Sequence, residues 1–336
     1  MKAIGYQRSL PIEDPQSLVD FTTEVPQPGA RDLLVRVQAV SVNPVDTKVR
    51  VRKTPPAGEY QILGWDAVGV VEAVGADVTL FKSGDAVFYA GSIVRPGTNA
   101  EFHLVDERIV GRKPKSLSVA QTAAMPLTTI TAWELLFDRF QVSRASATSG
   151  ALLIAGGAGG VGSMLIQLAR QLTSLTVIAT ASRAESRQWC LDLGAHHVVD
   201  HSQPLAPQLK EIGFPTVPLI ASLTGTEKNY PALVEVLAPQ GKFGLIDDPK
   251  TLDVTLLKQK SGSLHWEFMY TRSMFGTEDI QAQHRLLNEV ADLIDAGKLR
   301  TTLTRELGTI NAVNLREAHR EVESGRMIGK IVLEGF

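Results

Sequence analysis

Three glycines have a spacing that could hold a pyrophosphate group. Gly157, Gly159 and Gly162 form the pattern G-x-G-x-x-G, between the apolar run ALLIAGG and a segment whose apolar residues have helical spacing. In this pattern the first glycine permits a tight turn, the second lets the backbone approach a pyrophosphate, and the third lets helix and strand pack closely. The helix N-terminus adds free N–H groups and a partial positive charge. The residues expected to contact a dinucleotide here are Gly157, Ala158, Gly159, Gly160 and Val161.

A second set of side chains favours one dinucleotide over the other. In NAD-binding sheets an acidic residue about 20 residues after the glycines binds the ribose 2′-hydroxyl. Here the segment reads TASRAESR (180–187), and its first acid, Glu185, falls in the expected helix. Ser182, Arg183 and Arg187 offer a hydroxyl and two guanidinium groups, which suit a 2′-phosphate. The alternative is a solvated helix start with surface arginines. We predict NADPH as the cofactor.

The elements around these residues alternate between strands and helices. The expected strands are 151–157, 175–182, 196–201, 217–225 and 241–248, and the expected helices between them include 161–172, 184–195 and 232–239. This alternation predicts an α/β fold with a doubly wound parallel sheet. Ligands of such a sheet bind at the carboxyl ends of its strands, so Thr224 and Ile246, at the ends of the fourth and fifth strands, should face the cofactor.

Composition and charge exclude several classes of protein. The 25 positions from Ala145 to Ala169 carry no charge, but their glycines and the lack of flanking basic or aromatic clusters favour a strand, turn and helix over a membrane span. A net charge of −2 does not favour nucleic acid or an anionic membrane as partner. The N-terminus lacks the apolar core of a signal peptide. The one cysteine, Cys190, cannot form an intramolecular disulfide, and we expect a cytoplasmic protein.

The first 125 residues have a different pattern. Short apolar strands such as LLVRVQAV, AVGVVEAVG and DAVFYAG alternate with Gly, Pro and Asp turns, which predicts a mostly β lobe. Amphipathic helices at 283–298 and about 314–324 precede the strand GKIVLEG, which we expect to return to this lobe. The length of 336 residues suits two lobes, and the cofactor and substrate would meet between them.

Several segments, taken in order, resemble the medium-chain dehydrogenases/reductases. They are GWDAVGVVEAVGADVTLFKSGDAVF (64–88), MPLTTITAWELLFDR (125–139), the glycine pattern and GKIVL. The quinone oxidoreductases of the ζ-crystallin type are the most similar branch, and residues 89–114 and 258–275 resemble proteins labelled zinc-type alcohol dehydrogenase-like. The resemblance implies a Rossmann NADPH-binding domain, 128–271, and a GroES-like, mostly β catalytic domain, 1–127 with 272–336. It also implies a homodimer, for which GSLHWEFMY (262–270) is the expected edge strand.

The positions that hold zinc in the zinc alcohol dehydrogenases have lost their ligands in this chain. The family's first cysteine ligand corresponds to Asn43, its histidine ligand to Trp65 and its second cysteine ligand to Leu127. An amide, an indole and an aliphatic chain cannot replace two thiolates and an imidazole. The four-cysteine lobe that holds a structural zinc is also missing from the sequence. We therefore predict no metal site, although names within the family refer to zinc.

The resemblance also implies roles for individual residues. Asn43 lies where the family has a polar residue beside the nicotinamide, so that its amide would donate to the substrate oxygen, unless it is only a turn residue. Asp46 is expected to be a local hydrogen-bond anchor rather than a proton donor. Trp65 would line the substrate pocket or pack in the core. Thr128, with Thr129, would approach the nicotinamide, cap a helix, or do both.

Four further residues are candidates for contact with the cofactor or for proton donation. His201 lies where many relatives carry a tyrosine near the adenosine phosphate, and it would contact the 2′-phosphate. Lys330 would reach the cofactor phosphates or, as we expect, lie on the surface. Tyr60 and Tyr89 would donate protons or, as we expect, serve the structure.

These observations predict a reductase that works without a metal. Without a Lewis acid an unactivated alcohol is hard to oxidise, whereas a quinone or an α,β-unsaturated carbonyl already accepts a hydride. The expected function is zinc-independent, NADPH-dependent reduction of such small electrophiles. The alternatives are a zinc-dependent alcohol dehydrogenase, and an NADPH-binding sensor or structural protein without significant turnover.

Overall fold

The structure is a computed structural model that describes residues 1–144 and 150–336. Positions 145–149, with which the uncharged run begins, lie outside the described residues. The chain forms two compact units, one of residues 1–130 with 270–336 and the other of residues 131–269. The boundaries expected from the sequence, 127/128 and 271/272, lie a few residues away.

Strands form two sheets in the first unit and one in the second. The strands, in chain order, are β1 (Lys2–Tyr6), β2 (Val19–Thr22), β3 (Asp32–Val42), β4 (Gln61–Ile62), β5 (Asp66–Val74), β6 (Ala86–Tyr89), β7 (Phe102–Asp106), β8 (Val110–Arg112), β9 (Ala151–Ala155), β10 (Thr176–Thr180), β11 (His197–Val199), β12 (Val217–Ser222), β13 (Leu237–Leu245), β14 (Ser263–Trp266), β15 (Leu303–Glu306) and β16 (Lys330–Glu334). The helices are α1 (Pro44–Arg52), α2 (Val119–Ala123), α3 (Pro126–Trp133), α4 (Gly160–Leu172), α5 (Ala184–Asp192), α6 (Leu205–Glu211), α7 (Thr226–Val236), α8 (Thr271–Phe275), α9 (Ala282–Asp295) and α10 (Ala312–Glu323). In the part of the chain that the structure describes, none of these helices has the length and apolar character needed to cross a membrane.

The second unit is built around one parallel sheet. Its strand order is β11-β10-β9-β12-β13-β14, and each neighbouring pair is parallel. This is the order of a doubly wound nucleotide-binding sheet, whose first strand lies beside the point where the order reverses. All five residues of β9, ALLIA, are buried, as expected of a strand covered on both faces. The α/β fold predicted from the sequence is confirmed.

Two boundaries in this unit differ from the expected ones. The helix expected at 232–239 is α7, which begins well before Pro231, and β13 follows it without a loop. The sequence predicts the start of this helix too late, after Pro231, because proline removes a backbone donor and disfavours helix in the residue before it. Strand β11 ends at Val199, so that His201 follows the strand instead of belonging to it.

The first unit holds two sheets, and most of their strands lie within the first 125 residues, where the sequence predicts a mostly β lobe. Its main sheet has the strand order β15-β16-β3-β5-β6-β8, with β7 also paired to β3, and a smaller sheet has the order β2-β1-β4. The C-terminal strand β16 pairs antiparallel with β3, with Ile331 opposite Val42. The chain end therefore returns to this unit, as expected, and brings Lys330 to the place where β3 ends.

Helix α1 begins directly where β3 ends. Asn43 is the N-cap residue, and Pro44 at the first helical position has the fixed φ that a helix start needs. The Asn43 N–H donates to Asp46 Oδ2 at 2.7 Å, so that a carboxylate satisfies a backbone donor at the positive end of the helix. This turn places Asn43 and Asp46 side by side, and each is only 1% exposed.

Candidate active site

The glycine turn contains the left-handed residue that such a turn requires, but this residue is Gly156 and not Gly157. Gly156 has φ +93°, so the tight turn lies one residue before Gly157, and its assignment to Gly157 is wrong. At Gly157 a Cβ atom would come 2.7 Å from Ala179 Cβ and 3.1 Å from Cys190 Sγ. Gly157 is therefore needed for close packing of the turn against β10 and α5.

The other two glycines have the geometry that the pattern predicts. A Cβ atom on Gly162 would lie 2.4 Å from Gly156 O and 2.6 Å from Gly157 O, so α4 packs against the turn with no room for a side chain. On Gly159, the N-cap residue of α4, the nearest atom to such a Cβ is Gly156 O at 3.7 Å. The backbone here is open for close approach by a pyrophosphate. These residues fit a dinucleotide, and contacts made by Ala158, Gly160 and Val161 stay predictions.

Thr180, the last residue of β10, anchors the glycine turn and was not found by sequence reasoning. Its Oγ1 accepts the Gly156 N–H at 3.1 Å, and its carbonyl oxygen accepts the Gly157 N–H at 3.2 Å. The same Oγ1 lies 3.2 Å from Nδ1 of His201. The threonine therefore joins the glycine turn to His201 at the carboxyl edge of the sheet, where the adenosine end of a dinucleotide is expected.

The residues proposed for the 2′-phosphate lie at the start of α5. Ser182 and Arg187 are exposed, and Arg183, half-buried, is the N-cap residue of α5. Hydrogen bonds from Ser202, with smaller contributions from the charges of His201 and Arg187, hold the pKa of the Asp200 carboxyl below its ordinary value. Arg187 and His201 thus lie near one carboxylate, and their contact with a 2′-phosphate stays a prediction.

Thr224 and Ile246 occupy the edge of the sheet that the open-sheet rule assigns to ligands. Thr224 follows β12 and is exposed, and its Cγ2 lies 3.0 Å from the place where a Cβ of Gly156 would be. Ile246 follows β13 and is half-buried. Both residues therefore lie on the same edge of the sheet as the glycine turn, and their contact with the cofactor stays a prediction.

A buried polar cluster lies in the first unit, where β3, β5 and β16 meet the starts of α1 and α3. At its centre is Asp66, whose Oδ1 accepts the Leu127 N–H at 2.7 Å and whose Oδ2 accepts Asn43 Nδ2 at 2.7 Å. Lys330 Nζ lies 3.2 Å from Asp66 Oδ2, and it donates to Val42 O at 3.0 Å and to Asn43 Oδ1. The cluster thus joins an amide, a carboxylate and an ammonium group away from solvent.

The expectation that Lys330 lies on the surface is wrong, because the residue is only 3% exposed. Its three acceptors, from Val42, Asn43 and Asp66, match the three hydrogens of an ammonium group, so none is left for a cofactor phosphate. Asp66 was also missed. The sequence contains a signal for it, because Asp66 is the only charged residue in the apolar stretch ILGWDAVGVV and stands at the start of β5.

Burial shifts the pKa values of the charged groups in this cluster. It raises the pKa of Asp46 to about 7, against the opposing effects of the Asn43 N–H and of Lys330. Burial also raises the pKa of Asp66 and lowers the pKa of Lys330, and in each case the other member of the pair opposes the shift most strongly. Asp66 and Lys330 lie 3.2 Å apart and stabilise each other's charged forms, so they form an ion pair.

Trp65 packs in the core next to this cluster. It is fully buried, its Nε1–H donates to Ser92 O at 3.0 Å, and its ring meets the edge of Tyr270 with centroids 6.1 Å apart. Tyr270 was also missed by sequence reasoning. Burial, together with the charges of Asp46 and Asp66, raises the pKa of Tyr270 well above its ordinary value, so its hydroxyl keeps its proton.

Thr128 lies inside α3 and does not cap it. Its Oγ1 donates to Met125 O at 3.2 Å, and the helix begins at Pro126. The interpretation as an N-cap residue is therefore wrong, and an approach to the nicotinamide stays a prediction. Thr129 is fully buried, and its Oγ1 has no hydrogen-bond partner among the described residues.

Tyr60 and Tyr89 both have packing partners. Tyr60 stacks on Phe21 with ring centroids 4.0 Å apart. Tyr89 is fully buried, and its hydroxyl lies 3.1 Å from Nδ1 of His103, which it also stacks on. These contacts agree with the structural interpretation of both residues.

The residues at the family's three zinc positions do not fit a zinc ion. The oxygen of Asn43 is held by Lys330, the indole nitrogen of Trp65 is a donor, and Leu127 contributes only its backbone N–H, which Asp66 accepts. Zinc sites in proteins need deprotonated sulfur or nitrogen ligands, with carboxylates in addition. An ammonium group within 3.2 Å of the carboxylate also disfavours a second cation there.

Comparisons with known proteins identify the family. Residues 29–115 match the model of the alcohol dehydrogenase GroES-like domain, and residues 193–333 match that of the zinc-binding dehydrogenase domain. A zinc-type alcohol dehydrogenase-like protein of Staphylococcus aureus strain Mu50 is 39% identical over 336 residues, which cover 99% of each chain.

Solved structures give the same result. A protein of Rhizobium etli CFN 42 assigned as a zinc-dependent alcohol dehydrogenase is 57% identical, with a TM-score of 0.97 over 100% of this chain and 98% of that chain. A quinone oxidoreductase of Pseudomonas syringae pv. tomato DC3000 is 26% identical, with a TM-score of 0.83 over 99% of each chain. The mycobacterial protein Rv1454c, solved with NADPH, is also 26% identical, with a TM-score of 0.83 over 99% of each chain.

The matches and the fold agree on one family. The resemblance stated from the sequence is confirmed, and so is the pairing of a Rossmann-like sheet with a GroES-like domain. The mycobacterial protein was solved with NADPH, which agrees with the open glycine turn of this chain. The chain belongs to the medium-chain dehydrogenase/reductase superfamily, as an oxidoreductase similar to the zinc-type alcohol dehydrogenase-like proteins and to the quinone oxidoreductases.

Proposed function

We propose that this protein reduces quinones or α,β-unsaturated carbonyls with NADPH, and that it does so without zinc. The observation that carries the proposal is the cluster of Asn43, Asp66 and Lys330. Asn43, at one of the family's metal positions, is hydrogen-bonded to both other residues, and these two form an ion pair. These residues supply no thiolate or imidazole for zinc, and the Lys330 ammonium group lies where a metal ion would act as a Lewis acid. The substrate must then be electrophilic before it binds, as a quinone or an enone is.

The chain's own residues would bind and orient the two reactants. NADPH, when bound, supplies the hydride. One Nδ2 hydrogen of Asn43 is held by Asp66, whereas the other makes only a long contact of 3.4 Å with Ser41 O. This second hydrogen is the one that could support a substrate oxygen as negative charge develops on it. Lys330 fixes the orientation of the amide by holding its oxygen.

Two observations support NADPH over NADH. The carboxyl end of β10 carries Thr180 rather than an acidic residue, and the start of α5 carries Arg183 and Arg187. The related mycobacterial protein was solved with NADPH. A guanidinium fork suits the doubly charged 2′-phosphate, whereas an acidic residue would suit the ribose hydroxyl of NADH.

The test is turnover by metal-stripped enzyme, followed by loss of NADPH absorbance with a panel of quinones and enones. We expect turnover that does not change when the chelator is replaced by zinc. Arg187→Gln should reduce the preference for NADPH over NADH by roughly tenfold, since one charge-assisted contact is lost. Arg170→Gln is the matched control, because Arg170 lies in the last turn of α4, a different helix, and this variant should keep the preference.

The outcomes separate the proposal from its two alternatives. Turnover of alcohols that appears only after zinc is added would indicate a zinc-dependent dehydrogenase and contradict the proposal. Tight NADPH binding without hydride transfer to any electrophile would favour a sensor or structural protein.

We also propose that two copies of the chain pair through β14 and that the protein works in the cytoplasm. Strand β14 is the last strand of the parallel sheet, and Trp266 and Phe268, in and just after it, are 51% and 44% exposed. An exposed apolar sheet edge calls for a cover. The location is supported by the lone cysteine, Cys190, which is buried and unpaired.

A further inference from the structure

The ammonium group of Lys330 is surrounded by oxygen atoms from three separate parts of the first unit. They are the carbonyl oxygen of Val42 at the end of β3, the amide oxygen of Asn43 at the start of α1, and a carboxylate oxygen of Asp66 at the start of β5. One buried cation thus has three oxygen partners, two of them uncharged, and oxygens of these kinds are also the ligands that hard divalent cations take.

The cluster carries more negative than positive charge if all its groups are ionised. Asp46 and Asp66 are both fully buried, and both attract Lys330 electrostatically. Asp46 Oδ2 accepts the Asn43 N–H, and the backbone of Gly64 donates to the same carboxyl group. Two buried carboxyl groups therefore share one ammonium group, which is costly unless a proton or a cation compensates the excess negative charge.

We propose that this cluster is a cation site whose resident cation is the Lys330 ammonium group, and that removing this group converts it into a site for a divalent cation of the Mg²⁺ or Mn²⁺ class. Amide, backbone and carboxylate oxygens are hard ligands, which suit these ions better than they suit zinc. Lys330 thereby acts as a positioning residue that holds Asn43 and Asp66 together from β16. The inference goes beyond the proposed reaction and does not depend on which substrate accepts the hydride.

The test uses thermal unfolding of the whole protein after treatment with a chelator, with and without millimolar MnCl₂. Lys330→Ala should melt roughly 5–10 °C below the wild type, because two buried carboxyl groups lose their counter-ion. Manganese should restore at least half of this loss, since a ligand that binds only the folded state stabilises it. The wild-type protein should not respond to manganese.

Two further variants control for general effects. Lys330→Ala combined with Asp66→Asn removes the carboxylate at the centre of the cluster, and its melting temperature should not respond to manganese. Lys330→Arg keeps the charge, and should melt closer to the wild type than Lys330→Ala and bind no manganese. If Lys330→Ala does not fold, Lys330→Met, which fills the same space without charge, takes its place. Manganese uptake by these variants is measured directly by equilibrium dialysis.

The inference is overturned if neither neutral variant takes up manganese, or if the double variant takes up as much as the single one. In those cases Lys330 is only one half of an ion pair. Because the readouts are melting and metal uptake, these results are independent of quinone reduction. The turnover assay on the wild-type enzyme tests the proposed function separately.

Discussion

At the scale of single residues, burial controls the chemistry of this protein more than charge does. Lys330 and Asp66 are charged groups that the protein buries only as partners. His319 on α10 is a contrasting case, since it is fully buried beside Arg50 of α1, and neither of its ring nitrogens has a hydrogen-bond partner among the described residues. Burial, assisted by the positive charge of Arg50, lowers the pKa of His319 to about 3.

This histidine should make the protein sensitive to acid. The unfolded chain binds a proton on His319 below about pH 6.5 while the folded protein does not, so the free energy of unfolding falls as the pH drops from about 6.5 toward 3. At pH 5 the loss from this one group is about 2 kcal/mol relative to pH 8. His319→Leu should remove it, and the measurement is urea unfolding as a function of pH.

The contribution of His319 is the difference between the free energies of unfolding of the wild type and of His319→Leu at each pH. His103, whose pKa burial lowers to about 4, contributes in the same direction as His319, and Asp46, whose pKa is raised to about 7, contributes in the opposite direction. Both contributions remain in His319→Leu and cancel in the difference. Parallel curves for the variant and the wild type between pH 8 and pH 5 would show that His319 is protonated in the folded state.

At the scale of elements, the starts of three helices carry most of the candidate sites. The start of α4 follows the glycine turn, the start of α1 holds Asn43 and Asp46, and the start of α3 donates the Leu127 N–H to Asp66. Free N–H groups and the helix dipole favour negative charge at such positions. The fold thus uses one local device twice for side-chain carboxylates and, in our proposal, once for a pyrophosphate.

Two glycines of the turn should respond differently to the same substitution. Gly162→Ala places a Cβ against backbone oxygens at 2.4 and 2.6 Å, so α4 must move, and we expect a lower melting temperature together with weaker NADPH binding. Gly159→Ala meets no protein atom closer than 3.7 Å, so its melting temperature should not change, whereas its Kd for NADPH should rise by roughly tenfold or more if the pyrophosphate lies there. Calorimetric titration and thermal melts measure both. Unchanged NADPH binding by Gly159→Ala would place the cofactor elsewhere.

At the scale of the whole molecule, the open question is what covers the edge of the parallel sheet. Strand β14 pairs with β13 on one side, and its exposed aromatic residue Trp266 lies at the end of the strand. An exposed strand edge with apolar residues tends to pair with another chain. A second copy of this chain, related by a twofold axis, would bury the same residues of both copies.

A charge at this edge should therefore separate the proposed dimer. Trp266→Lys is expected to raise the dissociation constant of the dimer by roughly 10-fold or more, because a buried aromatic contact is replaced by a cation that repels its own copy. Phe275→Lys is the control, because Phe275 lies in the other unit and is 73% exposed. This variant should leave the dissociation constant of the dimer unchanged. Sedimentation at micromolar concentration measures both. A wild-type protein that is already monomeric there contradicts the dimer.

The sequence by itself determined the elements and the fold class. The glycine pattern, the alternation of strands and helices after it, and the short β segments before it depend on local periodicity and turn chemistry. These features are encoded within some ten to twenty residues, so they can be interpreted without the rest of the chain. The same is true of the arginines at the start of α5 and of the lost zinc ligands.

Only the tertiary structure decided how the buried polar groups are paired. Lys330 and Asn43 are 287 positions apart, and nothing in the sequence GKIVL shows that this lysine is buried beside Asp66. The turn residue with positive φ is likewise Gly156 and not Gly157, where the spacing of the glycines predicts the tight turn. Packing of the turn against β10, rather than this spacing, sets the backbone angles. The physical reason is that the free energy of a buried charge depends on the atoms around it, and these come from strands and helices that only folding brings together.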